Sequence, residues 1–167
     1  MNKCVFLDRD GTLTYDYGYT SLVDNLIVLP DVSETLRILK QRGFLLIVIT
    51  NQSGIARGKF SIKNMKSFNE ALNKRLYELS GVIIDEFYYC PHHKNGIIEP
   101  YNCECECRKP SPLLIYRAAI EHNIDLSNSY FIGNTETDMK TGINAGLKRV
   151  FKVDNKKTML SIVNEIF

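Results

Sequence analysis

Two aspartates near the start of the chain are spaced for phosphoryl chemistry. Asp8 and Asp10 directly follow the apolar run 3–7 (KCVFL), and Gly11 comes next. A capped turn is the structural alternative for a bare Asp-x-Asp-Gly. At the end of a strand, however, both carboxylates can face one magnesium ion. One can then attack phosphorus to form an aspartyl-phosphate while the other gives and takes the proton, so the pair predicts covalent phosphoryl transfer.

Residues suited to binding phosphate follow a second apolar run, 44–49 (FLLIVI). Thr50 offers a hydroxyl and Asn51 an amide, and the loop after them exposes main-chain N–H groups that can hold phosphate oxygens. Farther along the chain, Lys109 would offset the negative charge that two aspartates and a phosphate accumulate. Its neighbour Arg108 has a bidentate guanidinium suited to a second phosphate on the substrate.

Four of the five cysteines lie within about residues 90–107, in a chain without an export signal, which indicates a metal site rather than disulfides. Three thiols and an imidazole make a set typical of closed tetrahedral zinc, namely Cys90, His92, Cys105 and Cys107. Cys103 offers a second C-x-C pair, and His93 could replace His92. Register with the Arg-Lys-Pro that follows favours Cys105 and Cys107. We predict a structural zinc loop that aims Arg108 and Lys109 at the substrate.

The elements that must position these residues follow a strand-then-helix order. Five short apolar runs predict strands, at 3–7, 44–49, 87–89, 130–132 and 149–151. Runs that are apolar on both faces suit parallel strands covered by helices on each side. The expected fold is therefore α/β, a three-layer, Rossmann-like, doubly wound parallel sheet formed by one domain over residues 1–167. In such sheets the active site lies at the carboxyl ends of the strands, where the polar motifs occur.

Capping residues predict the helices between these strands. Asp31 and Glu34 can form a capping box for a helix to about residue 41, with Gly43 as its stop. A second helix is expected from a Ser61 cap to about residue 79, ending near Gly81. The remaining helices are expected after a Ser111 cap with Pro112 in the first turn, over about 137–144 and over 158–166. In the third helix, Leu113, Tyr116 and Ile120 would share one face.

These motifs resemble those of the haloacid dehalogenase superfamily of phosphatases, in the expected order over about residues 3–152. Asp8-Arg9-Asp10-Gly11-Thr12 is similar to the D-x-D-G-T motif, which implies that Asp8 is the nucleophile and Asp10 the acid/base. The resemblance also implies that Thr50 binds the transferring phosphoryl group and that Lys109 is the lysine of the third motif. It further implies an essentially capless domain with a catalytic Mg²⁺.

Within the superfamily, the string 50–58 (TNQSGIARG) resembles the heptose 1,7-bisphosphate phosphatases. That subfamily removes the C7 phosphate of its sugar in the synthesis of nucleotide-activated heptose for bacterial surface glycans. The resemblance implies substrate contacts from Asn51, Ser53, Arg57 and Arg108, and it includes the zinc loop. Histidinol-phosphate phosphatases are related, but they usually diverge after Thr-Asn-Gln.

The fourth motif departs from the superfamily pattern. Asn134 stands where an aspartate normally binds magnesium, so a formal negative charge is lost from the site. Three interpretations remain open. Asn134 is a working neutral ligand with support from Asp138, or the chain is an inactivated variant, or it is a binding module with a phosphosugar pocket. The magnesium ligands expected under the first interpretation are Asp8, Asp10 and Asn134.

Composition adds limits on location and partners. The net charge is +2, and basic residues are spread along the chain rather than gathered in a stripe, so nucleic-acid binding is not expected. No signal peptide or membrane span is recognisable. We therefore expect a cytoplasmic monomer whose partner is a small phosphorylated sugar.

Overall fold

The computed structural model describes residues 1–167, and its centre is one parallel five-stranded sheet. The strands are β1 (Lys3–Leu7), β2 (Phe44–Asn51), β3 (Glu86–Cys90), β4 (Tyr130–Gly133) and β5 (Arg149–Lys152). Their order is β3-β2-β1-β4-β5, and every neighbouring pair is parallel. The chain thus builds outward from β1 in one direction, returns, and builds outward in the other. The predicted doubly wound α/β fold is confirmed.

Five α-helices cover both faces of the sheet. They are α1 (Val32–Gln41), α2 (Ile62–Ser80), α3 (Leu113–Glu121), α4 (Glu136–Asn144) and α5 (Met159–Ile166). Alternate residues of β1 enter two separate cores, because successive strand side chains point to opposite faces. Val5 and Leu7 pack with α1, α2 and α5. Cys4 and Phe6 pack in the other core, chiefly with α3. The three-layer arrangement follows from this division.

The helix-capping predictions were correct for α2 but not for α1. Ser61 and Asn64 form a reciprocal capping box, and Gly81 ends α2 at a φ of +70°. Asp31 instead has a φ of +64°, and its side chain caps nothing. An N-cap side chain reaches the first amides from extended backbone, which residue 31 lacks. Glu34 is paired with Arg37 at 2.6 Å, so the capping box predicted for α1 is wrong.

The apolar face predicted for the third helix also needs correction. Its buried residues are Leu114, Ile115 and Ala118. Tyr116 is 40% exposed and Ile120 is 83% exposed. The helix packs against the sheet through the face next to the predicted one, and it begins after Pro112 rather than at it.

Two long connections carry the polar motifs above the sheet. Residues 8–31 link β1 to α1 and contain only a short 3-10 helix, Val23–Asn25, besides isolated bridges. Residues 91–112 link β3 to α3 and contain Cys103, Cys105 and Cys107, whereas Cys90 is the last residue of β3. No helix in the chain is both long and apolar enough to span a bilayer.

Candidate active site

The carboxyl ends of β1, β2 and β4 border one cavity of about 420 Å³. Most of the site residues predicted from the sequence line it, namely Asp8, Asp10, Thr50, Asn51, Ser53, Arg108, Lys109, Asn134 and Asp138. They come from four segments that are distant in the chain and meet because parallel strands end at the same edge. Among the predicted catalytic and substrate-binding residues, Arg57 is the one that does not line this cavity.

Lys109 lies at the bottom of the cavity with its charge fully satisfied. Its Nζ donates to Asp8 Oδ1 at 2.7 Å, to Asp138 Oδ1 at 2.6 Å and to the main-chain oxygen of Ile49 at 2.9 Å. An ammonium group has three N–H donors, and all three are used. Lys109 is 5% exposed, so these contacts fix a buried cation between two carboxylates.

The electrostatic balance of this centre favours a further cation. Burial raises the pKa of Asp8 to about 7, with Asp138 and Asp10 adding to the rise and Lys109 opposing it. Burial alone would lower the pKa of Lys109, but Asp8 and Asp138 hold it above its ordinary value. The carboxylates therefore outweigh the one lysine. A divalent cation beside Asp8 would supply the missing positive charge, and the oxygen donors of Asp8, Asp10 and Asn134 suit magnesium.

Asp138 uses both of its oxygens within the protein. Oδ1 accepts from Lys109, while Oδ2 accepts from the main-chain N–H of Thr135 at 3.0 Å and from its hydroxyl at 2.7 Å. The hydroxyl of Thr135 accepts in turn from the N–H of Asp138, which completes a capping box at the start of α4. Asp138 therefore orients Lys109 and anchors the helix.

Asn134 is held between two loops at the end of β4. Its Oδ1 accepts from Thr12 Oγ1 at 3.3 Å. Gly11 has a φ of +80°, and a Cβ there would lie 2.2 Å from Nδ2 of Asn134. A glycine is required at residue 11 for both reasons, since any side chain would displace the amide.

Thr50 and Asn51 have different surroundings at the end of β2. Thr50 Oγ1 accepts from Gln52 Nε2 at 2.9 Å, which leaves its own O–H as a donor for a ligand in the cavity. The side-chain amide of Asn51 forms two hydrogen bonds with the backbone of Lys109. Oδ1 accepts from the main-chain N–H of Lys109 at 3.0 Å, and Nδ2 donates to its main-chain oxygen at 3.3 Å. Asn51 thus fixes the lysine backbone against β2.

Sequence reasoning missed Arg9 and Gln52. The side chain of Arg9 is 0% exposed and forms a bidentate pair with Asp10, with Nε–Oδ1 at 2.9 Å and Nη2–Oδ2 at 3.0 Å. Gln52 Nε2 donates to the same Oδ2 at 2.9 Å. The sequence signal that could have identified Arg9 is its place between Asp8 and Asp10. An arginine at the end of a buried strand needs an acidic partner, and an aspartate stands on each side of it.

The four predicted zinc ligands converge beside the cavity. Their donor atoms all lie within 4.8 Å of one another. Cys90 Sγ lies 3.4 Å from Cys105 Sγ and 3.7 Å from His92 Nδ1, and Cys107 Sγ lies 3.6 Å from Cys105 Sγ. Zinc bonds of about 2.3 Å to sulfur and 2.0–2.1 Å to nitrogen place tetrahedral ligand atoms roughly 3.5–3.8 Å apart. The cluster fits zinc, whereas a disulfide would need about 2.05 Å.

The two alternatives to this ligand set lie outside the cluster. Cys103 is exposed, and its Sγ approaches the main-chain oxygen of Pro100 at 3.5 Å. The ring of His93 contacts Arg57 instead, with Nη2 3.1 Å from Nε2. This contact also accounts for the position of Arg57 away from the cavity.

Comparison with known proteins gives a consistent result. Residues 15–146 match the model of the haloacid dehalogenase-like hydrolases. A protein from Haemophilus influenzae named D-glycero-beta-D-manno-heptose-1,7-bisphosphate 7-phosphatase is 45% identical over 148 residues, which cover 89% of this chain and 79% of that protein. The protein of the same name from Escherichia coli K12 is 41% identical over 143 residues, covering 86% and 74%.

A solved structure agrees with these relatives. The D,D-heptose 1,7-bisphosphate phosphatase from B. bronchiseptica, complexed with magnesium and phosphate, superimposes with a TM-score of 0.76. It is 29% identical in sequence, and the match covers 87% of this chain and 77% of that one.

Proposed function

The chain belongs to the haloacid dehalogenase-like hydrolases, and on that premise we propose that it is a magnesium-dependent phosphatase of heptose 1,7-bisphosphate. The reaction would remove the C7 phosphate of D-glycero-D-manno-heptose 1,7-bisphosphate, a step toward nucleotide-activated heptose for surface glycans. The observation that carries the proposal is the position of Asp8, which faces the cavity while Lys109 holds its Oδ1 at 2.7 Å.

Asp8 and Asp10 perform the two chemical roles. Asp8 attacks phosphorus as the bond to the sugar oxygen breaks, and Asp10 gives that oxygen its proton. Asp10 then takes a proton from the water that attacks the phospho-aspartate, which frees Asp8 and inorganic phosphate. The partial exposure of the Asp10 side chain, 19%, leaves it accessible from the cavity.

The remaining centre binds and orients the phosphoryl group. Thr50 donates its hydroxyl to a phosphoryl oxygen, and Lys109 holds the nucleophile and opposes the charge that develops beside it. Asp8, the main-chain oxygen of Asp10 and Asn134 would hold magnesium, which would neutralise phosphoryl charge and keep Asp8 ionised. Asn51 places Lys109 for this task through its two contacts with the lysine backbone.

Arg108 is the residue we assign to the second phosphate of the substrate. It lines the cavity beside Ser53 and forms no salt bridge within the chain, so its guanidinium is available for a bidentate contact. The zinc cluster fixes the preceding residue, Cys107, and thereby the direction in which Arg108 leaves the loop. Arg57 would act by supporting His93, which lines a separate pocket with Arg108, rather than by direct contact.

A second candidate function is a phosphosugar-binding domain without turnover. Asn134 favours it, because this residue stands where an aspartate normally binds magnesium. The experiment is to measure phosphate release from heptose 1,7-bisphosphate with added magnesium, for this chain and for Asn134→Asp. Turnover by both chains supports the proposal and shows that a neutral ligand suffices. Turnover by the variant alone would identify a disabled metal site. If neither chain releases phosphate, the proposal fails, and histidinol phosphate is the next substrate to assay.

A further inference from the structure

The guanidinium of Arg9 connects Asp10 to three other segments of the chain, which contain Thr20, Gln52 and Asn69. Arg9 contacts Asp10 through Nε and Nη2. Nη2 also donates to the main-chain oxygen of Thr20 at 2.8 Å and lies 3.1 Å from Gln52 Oε1. Nη1 donates to Asn69 Oδ1, in α2, at 2.9 Å. The ring of Phe68 lies under the guanidinium, and Arg9 Cζ is 4.6 Å from the ring centroid. The cation is therefore enclosed, and each of its three nitrogens has at least one acceptor.

We propose that Arg9 is a positioning residue that fixes the Asp10 carboxylate and makes Oδ1 the oxygen that transfers the proton. The inference rests on the proposed phosphatase reaction and adds a residue and an atom to it. Arg9 touches neither phosphorus nor the sugar, because its side chain is completely buried behind Asp10. It acts only through the carboxylate that it holds.

The assignment of Oδ1 follows from the hydrogen bonds at each oxygen. Oδ2 accepts two, from Arg9 Nη2 and from Gln52 Nε2. Oδ1 accepts only one, from Arg9 Nε. A carboxylate oxygen has two lone pairs, so Oδ1 keeps one open and Oδ2 keeps none. A proton can be carried on Oδ1 without breaking a contact in the protein.

The proton balance is met at this one atom. When the sugar oxygen leaves phosphorus, it takes the proton from Oδ1, and the carboxylate becomes anionic. When water attacks the phospho-aspartate, it returns a proton to Oδ1 as the new phosphorus–oxygen bond forms. Arg9 stays protonated throughout, since arginine does not lose its proton in proteins.

Only arginine can make this set of contacts. The planar fork meets both carboxylate oxygens while its outer N–H groups reach Thr20 and Asn69. A lysine would keep the positive charge but would lack the fork, so Asp10 could rotate. Gln52 extends the arrangement to Thr50, because its Nε2 donates both to Asp10 and to the threonine hydroxyl. The acid/base group and a phosphate-binding hydroxyl therefore share one support.

The test uses Arg9→Lys, with Arg37→Lys as the matched control at an exposed ion pair. Steady-state kinetics on the sugar bisphosphate with magnesium should show kcat lowered about 10²-fold, the effect expected from a small misplacement of a catalytic group. KM should stay within about threefold, because substrate contacts are untouched. The control should match the parent chain in both constants.

A second readout separates positioning from general support of the loop. p-Nitrophenolate leaves phosphorus without a proton, so p-nitrophenyl phosphate needs Asp10 only for the second step. Arg9→Lys should then release about one p-nitrophenol per chain in a fast burst before slow turnover. If the variant shows neither the burst nor steady-state turnover, Arg9 merely supports the fold of the Asp8 loop. That result would overturn the inference.

The outcomes also distinguish this inference from the proposed function. If the parent chain does not turn over phosphosugars, the proposed function itself is refuted. An active parent with an equally active Arg9→Lys removes only the inference. If Arg9→Lys does not fold, Asn69→Ala decides, because it takes away one acceptor of Arg9 and leaves Asp10 intact. A loss of about tenfold in kcat is expected there, since one positioning contact is gone, and an unchanged kcat would contradict the proposal.

Discussion

Replacing Lys109 with methionine should destabilise the protein more than any surface lysine replacement. The side chain is close in length, so the change mainly removes the charge and three hydrogen bonds. Asp8 and Asp138 are 7% and 1% exposed and would lose their shared cation. Breaking a buried ion pair by removing one partner typically costs about 3–5 kcal/mol. For a chain of this size, that corresponds to a fall in Tm of roughly 6–20 °C.

The pH dependence gives this prediction a sign. Lys109 is the influence that lowers the pKa of Asp8 against burial and its acidic neighbours. In Lys109→Met the folded-state pKa of Asp8 would rise further above that of an unfolded aspartate. A group with a raised folded pKa loses its stabilising contribution as pH rises through that pKa. The free energy lost by the variant should therefore be larger at pH 8 than at pH 5.

The assay is thermal and urea denaturation of both chains at the two pH values, with zinc present and magnesium omitted. Lys152→Met is the matched control, because Lys152 pairs with Glu136 at the surface and both are substantially exposed. Exposed pairs contribute about 0–1 kcal/mol. The reasoning is refuted if the two variants lose equal stability, or if Lys109→Met loses more at pH 5.

Three shorter predictions concern the same site and its zinc loop. Asp8→Asn should abolish phosphate release while leaving the Tm near that of the parent; retained turnover would contradict its role as nucleophile. Cys107→Ala should release zinc and lower the Tm, whereas Cys103→Ala should do neither, as metal analysis and denaturation will show. Asn51→Ala should lower kcat about tenfold with little change in KM, because it loosens Lys109 rather than the substrate; a rise in KM alone would restore the direct-contact interpretation.

The sheet could be predicted from sequence because its signals are local. Each predicted strand lies within an observed one, from a run of residues that is buried on both faces. The motif residues at the ends of β1, β2 and β4 then had to converge, since parallel strands fix their carboxyl ends at one edge. The zinc set was similarly constrained by ligand type and spacing, and register with Arg108 and Lys109 already favoured Cys107 over Cys103.

Other features depend on contacts between distant residues and could not be predicted in this way. The burial of Arg9 requires acceptors from Thr20, Gln52 and Asn69, which only the folded chain brings together. The cap expected at Asp31 failed because the residue adopts a left-handed conformation that its type permits but does not demand. Helical spacing alone did not identify the packed face of α3, since two neighbouring faces carry apolar residues.

The Cys90–His92–Cys105–Cys107 cluster has a consequence for how this loop can change in sequence. Residues 102–104 are exposed and lie between the two halves of the ligand set. Doubling the length of such a loop costs only about 0.6 kcal/mol in closure entropy. Because Cys105 and Cys107 fix the chain again before Lys109, insertions at 102–104 would leave the lysine in place. This exposed segment can thus change in length and sequence while the position of Lys109 is preserved.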